Sequence, residues 1–259
     1  MRYKSSVSHF QYWLLGVLLL WTPLLGAETI FIYNPEAGVS NVDKVRQNLI
    51  DYLESQHITA DVYVFANPDD FQRAVDQLKP DVAIVASYYY ESMKSHYNWK
   101  SILAGHYEQT PVFTKVLVVS KSISLVQNLK NKSLATVSAG AVSQEYLNAQ
   151  LPEELRAQDV RVMSVSKDID AIMALGFDQV DGAIVTPSSL EKLRQINPNV
   201  VDQLHILQEL KPIAYPKVVV FPQTQNVDRF ISVFKDMPYQ GATKVVLRYF
   251  GITGFNVES

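Results

Sequence analysis

Between residues 29 and 90, strand and helix signals alternate, and this confines the chain to an α/β layer built around parallel strands. Thr29 to Tyr33 is β-branched and aromatic and stops at Asn34-Pro35. Val42, Val45, Leu49, Ile50 and Leu53 share one helical face behind a capping Asn41. Ala60 to Phe65 reads as the next strand. Asn67-Pro68-Asp69-Asp70 then opens a helix, with proline early and acids at the positive end of its dipole. Phe71, Ala74, Val75 and Leu78 form the buried stripe of that helix, and Pro80 ends it. Val82 to Ala86 is an unbroken apolar run, the mark of a strand covered on both faces. Crossovers between such strands are right-handed.

Ser87 to Tyr107 interrupts the pattern, rich in Tyr, Ser and His and without clear periodicity. Val112 to Val119 reads as one long strand and Val126 to Lys132 as a short helix or turn. A second alternating series follows. Its expected strands are 134–137, 160–165, 182–185, 204–208 and 218–221. Its expected helices are 143–151, 168–175, 188–196, 228–234 and 243–249. The halves match in element order, not in sequence, so there is no tandem repeat. The expected architecture is two-lobed α/β with a mostly parallel sheet in each lobe. Lobe 1 takes 28–120 with 209–259 returning to it, and lobe 2 takes 121–208.

Ahead of this pattern, Arg2 and Lys4, the apolar run Trp13 to Leu25 and the small residues Gly26-Ala27 follow the order of a secretory signal over residues 1–27. The run is short for a membrane span, which needs roughly 20 apolar residues. The expectation is a periplasmic product released by cleavage, with an uncleaved anchor as the alternative. Roughly 230 residues remain, enough for one large domain or two small lobes. Two of the 23 basic residues and none of the 26 acids fall in the signal, so the remainder is more acidic than the whole-chain −3. That argues against nucleic acid as a partner. With no cysteine there is no disulfide, thiolate metal site or lipidation at a cysteine. The five histidines lack metal-ligand spacing, although His96 and His106 flank Trp99. No nucleophile elbow, Walker loop or dinucleotide fingerprint is present. The chain therefore reads as a binding protein with no cofactor, no metal and no catalytic residue.

Four segments resemble the type II periplasmic substrate-binding proteins of the phosphate/phosphite/phosphonate branch of ABC transporters. Pro80 to Ala86 followed by Tyr88-Tyr89-Tyr90 is similar to the family's third strand and tyrosine-bearing loop. Asn128 to Ala135 is similar to its entry into lobe two, with Asn131 replacing a glycine. Val165-Ser166-Lys167-Asp168 through Asp181 resembles its strand–helix–turn segment. Phe250 to Phe255 resembles its C-terminal motif. The resemblance implies a monomer that captures a small anionic solute between lobes for an ABC permease. The alternatives are a module serving a membrane sensor kinase or cyclase, and a lobe pair whose ligand binding has degenerated.

The candidate ligand residues follow from where strands end and helices begin. Ser138, Gly140 and Ser143 occupy a strand-to-helix turn that can cradle an anion. The resemblance implies a grip on phosphonate oxygens there, with Ala139 and Ala141 standing where the family favours further hydroxyls. Ser143 equally reads as a helix cap. Tyr88 and Tyr90 share a face if strand alternation continues, offering flat walls and hydroxyl donors. Equally, these rings can pack over the lobe or the hinge. Lys167 stands where the family often has a histidine and would pair with an anion, or would simply be exposed. Asp181 precedes the strand 182–185 and mostly marks a turn. Thr186 begins a hydroxyl-rich helix start after that strand.

Overall fold

The computed structural model describes residues 27–35 and 42–258. The expected export signal, up to residue 26, and the expected cap Asn41 lie outside them. The strands are β1 (Glu28–Tyr33), β2 (Ala60–Phe65), β3 (Val82–Val85), β4 (Lys100–His106), β5 (Val112–Phe113), β6 (Val116–Ser120), β7 (Ser133–Val137), β8 (Arg161–Val165), β9 (Gly182–Val185), β10 (Leu204–Glu209), β11 (Ile213–Ala214), β12 (Lys217–Val220) and β13 (Gly254–Val257). The helices are α1 (Val42–Ser55), α2 (Pro68–Leu78), α3 (Ser87–Tyr97), α4 (Ser143–Gln150), α5 (Asp168–Gly176), α6 (Pro187–Ile196), α7 (Pro198–Val201), α8 (Val227–Lys235) and α9 (Gly241–Tyr249).

Two sheets result, in the orders β13-β4-β12-β3-β1-β2 and β10-β6-β9-β7-β8. Each contains a parallel trio, β3-β1-β2 in the first and β9-β7-β8 in the second. The remaining strands pair antiparallel. The sheets are thus mixed: β4 and β10 run with the trio of their own sheet, while β12 and β13 in the first sheet and β6 in the second run against it. The short pair β5–β11 forms an antiparallel ribbon where the chain crosses from one sheet to the other and back.

Sequence and structure differ in four respects. The expected long strand 112–119 breaks at Lys115, a residue with 0% exposure, into the ribbon strand β5 and the strand β6. β6, grouped with lobe 1 in the sequence reading, pairs with β9 and β10 in the second sheet. The tyrosine-rich stretch forms α3 and β4 instead of an irregular segment. Lastly, the C-terminal residues after α9 add the strand β13 against β4.

Local chemistry accounts for the helices that flank the sheets. Asn67 caps α2, its side-chain oxygen accepting from Asp69 N at 2.7 Å and Asp70 N at 3.2 Å. Lys79 ends α2 in the left-handed conformation, ahead of Pro80. Ile30 to Tyr33 of β1 and all of β3, β9 and β12 are buried on both faces. One face of the first sheet packs on α1, α8 and α9 through Val45, Leu49, Phe230, Phe234, Val246 and Leu247. One face of the second packs on α5, α6 and α7 through Ile172, Leu175, Leu190 and Val201. The opposite faces share a single apolar cluster. Phe31, Phe71 and Tyr89 of the first unit join Leu134, Val142 and Tyr146 of the second. No helix of the described residues is long and apolar enough to cross a membrane.

Candidate functional site

A cavity of about 840 Å³ lies between the two sheets beside the ribbon. The carboxyl end of β1 supplies Asn34, and the start of α3 supplies Ser87 and Tyr88. Thr186 comes from the turn between β9 and α6, and Ser188 and Lys192 from α6 itself. α1 contributes Lys44, α9 contributes Arg248 and Tyr249, and the ribbon region contributes Phe113, Thr114 and Tyr215. Strand ends and helix starts converge here, as expected for ligand sites in α/β folds.

Several hydrogen bonds fix this frame. Ser87 Oγ donates to the Ala214 carbonyl at 2.5 Å and pins the start of α3 to the ribbon. Asn34 Nδ2 donates to the Tyr249 carbonyl at 2.6 Å and ties the end of β1 to the end of α9. Thr186 caps α6, its hydroxyl accepting from Ser189 N at 3.3 Å. Both the N–H and the hydroxyl of Thr186 reach Asp168 Oδ2, at 2.7 and 2.8 Å. Asp168 is the first residue of α5, where the helix dipole favours a carboxylate. Its other oxygen faces Lys115 Nζ at 3.5 Å, and the two side chains are 8% and 0% exposed. Desolvating a pair of charges is costly, and here the Thr186 donors and the lysine offset that cost. Asp168 therefore backs Thr186 without leaving a net negative charge behind the cavity.

The lining itself is cationic. Lys44 and Arg248, on the packed helices α1 and α9, line the cavity with Lys192 of α6, and among the described residues no aspartate or glutamate does. All three cations are exposed, and none is ion-paired among the described residues. The Tyr249 hydroxyl is buried behind the cavity wall, with no hydrogen-bond partner among the described residues. Burial pushes its pKa up to about 12, so the group keeps its proton at neutral pH and can donate. Burial, with the nearby Tyr107, likewise raises that of Tyr215.

Of the residues singled out in the sequence, Tyr88 and Thr186 line this cavity. Tyr88 also lies 4.4 Å, ring centre to ring centre, from Tyr146 of α4. Tyr88 and Tyr90 do not share a face, because they sit on a helix at about 100° per residue and not on a strand. Tyr89 between them is 1% exposed and packs on Tyr33 and Phe71. Tyr90 faces away, with its ring 4.8 Å from Lys217 Nζ and its hydroxyl accepting from Ser101 N.

Ser138, Gly140 and Ser143 lie outside the lining. Ser138 Oγ accepts from Gly140 N at 3.3 Å, and Ser143 Oγ donates to the Gly140 carbonyl at 2.7 Å. Gly140 itself is set against Pro68 of α2, across the two lobes. Lys167 is exposed, just before α5, and is also outside the lining. Asp181 accepts from Ser133 N and Oγ at 2.9 and 2.8 Å and holds a turn. The cations Lys44, Lys192 and Arg248 were not found from sequence. Each is one lysine or arginine on a solvated helix face, and only helix packing brings them to one cavity.

A family model described as the periplasmic phosphonate substrate-binding protein of ABC transporters matches residues 31–258. Among solved structures, the chain is similar to a binding protein component of an ABC phosphonate transporter from Pseudomonas aeruginosa. The TM-score is 0.67 at 14% identity, covering 89% of this chain and 81% of that one. It is also similar to PhnD1 of Prochlorococcus marinus in complex with methylphosphonate, with TM-score 0.68, 14% identity, and 90% and 93% of the two chains covered. A Xanthomonas citri protein bound to ATP gives TM-score 0.67 at 11% identity, over 90% and 92%. At these identities the structures establish the fold. No curated protein matches the chain significantly in sequence.

Proposed function

The chain belongs to the family of periplasmic phosphonate substrate-binding components of ABC transporters, and from that premise we propose that its interlobe cavity captures an anionic, phosphonate-like solute. One observation carries the reading: cations from both lobes line the cavity and, among the described residues, no carboxylate does. An anion bridging Lys192 on one side and Lys44 and Arg248 on the other would draw the lobes together about the β5–β11 ribbon. Capture then leads to hand-over to a membrane permease, as the family implies. The anion is the first ligand to test. In a thermal-shift series with phosphate, phosphite and methylphosphonate, at least one should raise the melting temperature. At a concentration 100 times Kd, linkage gives about 2.7 kcal/mol of stabilisation. No shift with any of the three would refute the assignment to small anions.

A second reading has its own observation. In the Ser138–Ser143 turn the Ser143 hydroxyl is spent internally, the Ser138 oxygen accepts from Gly140 N, and Gly140 rests on Pro68, so the surface on which the family resemblance placed the ligand is narrowed. That suits a module that reports to a membrane protein without carrying solute. Binding of the protein to a membrane partner that is unaffected by every anion would favour it.

A further inference from the structure

The cavity is much larger than the small anions considered above, and its walls are chemically divided. Methylphosphonate has five heavy atoms. At no more than the roughly 30 Å³ that a water occupies in the liquid for each of them, it takes at most about 150 Å³. The cavity holds about 840 Å³, in the range of sites for drug-sized organic ligands. Its cations sit on helices α1, α6 and α9, while aromatic rings stand along the ribbon. Phe113 and Tyr215 pair there across β5 and the end of β11, with ring centres 5.2 Å apart and planes tilted by 39°. Both are only partly buried, so each leaves surface toward the cavity that a planar group could cover. Among the described residues no carboxylate lines the cavity to meet an amine.

Building on the reading of the cavity as an anion site, we infer that its solute is an organic phosphate or phosphonate with a planar aromatic body. The anionic group meets Lys44, Lys192 and Arg248, and the ring stacks on Phe113 and Tyr215. Stacking on aromatic side chains is tolerant of ring identity, because any such ring presents a π-face. An aryl phosphonate and a nucleoside monophosphate share this chemistry.

Titration calorimetry on the protein with methylphosphonate, phenylphosphonate and adenosine monophosphate tests the inference. At least one ringed ligand should bind ten or more times tighter than methylphosphonate. Preference for both would show that the ring alone suffices, and preference for the nucleotide alone would show that the base edge or sugar contributes as well. Phe113→Leu should erase most of the advantage, weakening the ringed ligands more than methylphosphonate. Methylphosphonate binding as tightly as both ringed ligands would overturn the inference and leave the anion site standing, as would a preference that survives Phe113→Leu. Failure of all three ligands to bind would instead remove the anion site itself. The wild-type comparison is decisive even where the variant folds poorly.

Discussion

Gly140 sits at φ +62°, in left-handed backbone, and a Cβ placed on it would come within 2.2 Å of the Pro68 side chain. Both the conformation and the contact across the lobes call for glycine. Gly140→Ala should therefore cost about 1–3 kcal/mol, seen as a lower urea midpoint. Unchanged stability would mean that this contact yields freely. Asp168 poses a different problem. Asp168→Asn keeps a group that can accept from Thr186 but removes the charge facing buried Lys115, and should cost about 3–5 kcal/mol. Combining it with Lys115→Met should recover part of that loss. If the double variant is no better than the single, the pair is not what holds this corner. At the scale of single residues the sequence was least readable. Of the candidate serine, threonine and lysine side chains at its strand-to-helix turns, only Thr186 reaches the cavity; Ser138 and Ser143 bond within their turn and Lys167 faces solvent. The cations of the cavity carried no motif, because Lys44 and Arg248 lie on helices from opposite ends of the described chain.

At the scale of elements, the two lobes repeat one device. Asp81, just before β3, accepts from Thr29 N at the start of β1 at 2.8 Å. Asp181, just before β9, does the same for Ser133 at the start of β7. Each aspartate joins the two parallel strands of its trio at their amino ends. For Asp181, burial pushes the pKa up, but the Ser133 donors and Lys132 outweigh it, and the carboxyl is held below its ordinary 3.8. A lowered native pKa adds stability that is present above the unfolded value and lost as pH falls through the native one. Asp181→Asn should thus cost about 1 kcal/mol at pH 7, at the low end because the group is partly exposed. The gap between variant and wild type should close below about pH 4, followed by urea unfolding across pH. A constant gap at all pH values would assign the effect to shape instead of charge. Strand–helix alternation made these trios legible, since doubly covered strands read as continuous apolar runs. α3 was not legible because it buries only Ser87 and Tyr89, which leaves no apolar stripe to detect. Its tyrosines also favour strands by propensity.

For the whole molecule, two mixed sheets meet along an apolar seam and are connected by the β5–β11 ribbon. The seam closes the side on which Pro68 meets Gly140 and Tyr88 meets Tyr146, and the cavity opens on the ribbon side. Element order in the sequence was enough for the two-lobed plan. It could not show which side of the cleft stays open, since that depends on side chains brought together from α1, α2, α3, α4, α6 and α9. The central claim is that the cationic ribbon side binds the anion, and titration calorimetry with methylphosphonate addresses it most directly. Each exposed cation should contribute up to about 1 kcal/mol. Replacing Lys44, Lys192 and Arg248 together by glutamine should weaken binding by at least tenfold, about 1.4 kcal/mol. Ser138→Ala with Ser143→Ala should leave the affinity within about twofold, about 0.4 kcal/mol. The opposite pattern, binding lost with the two serines and kept without the three cations, would contradict the account.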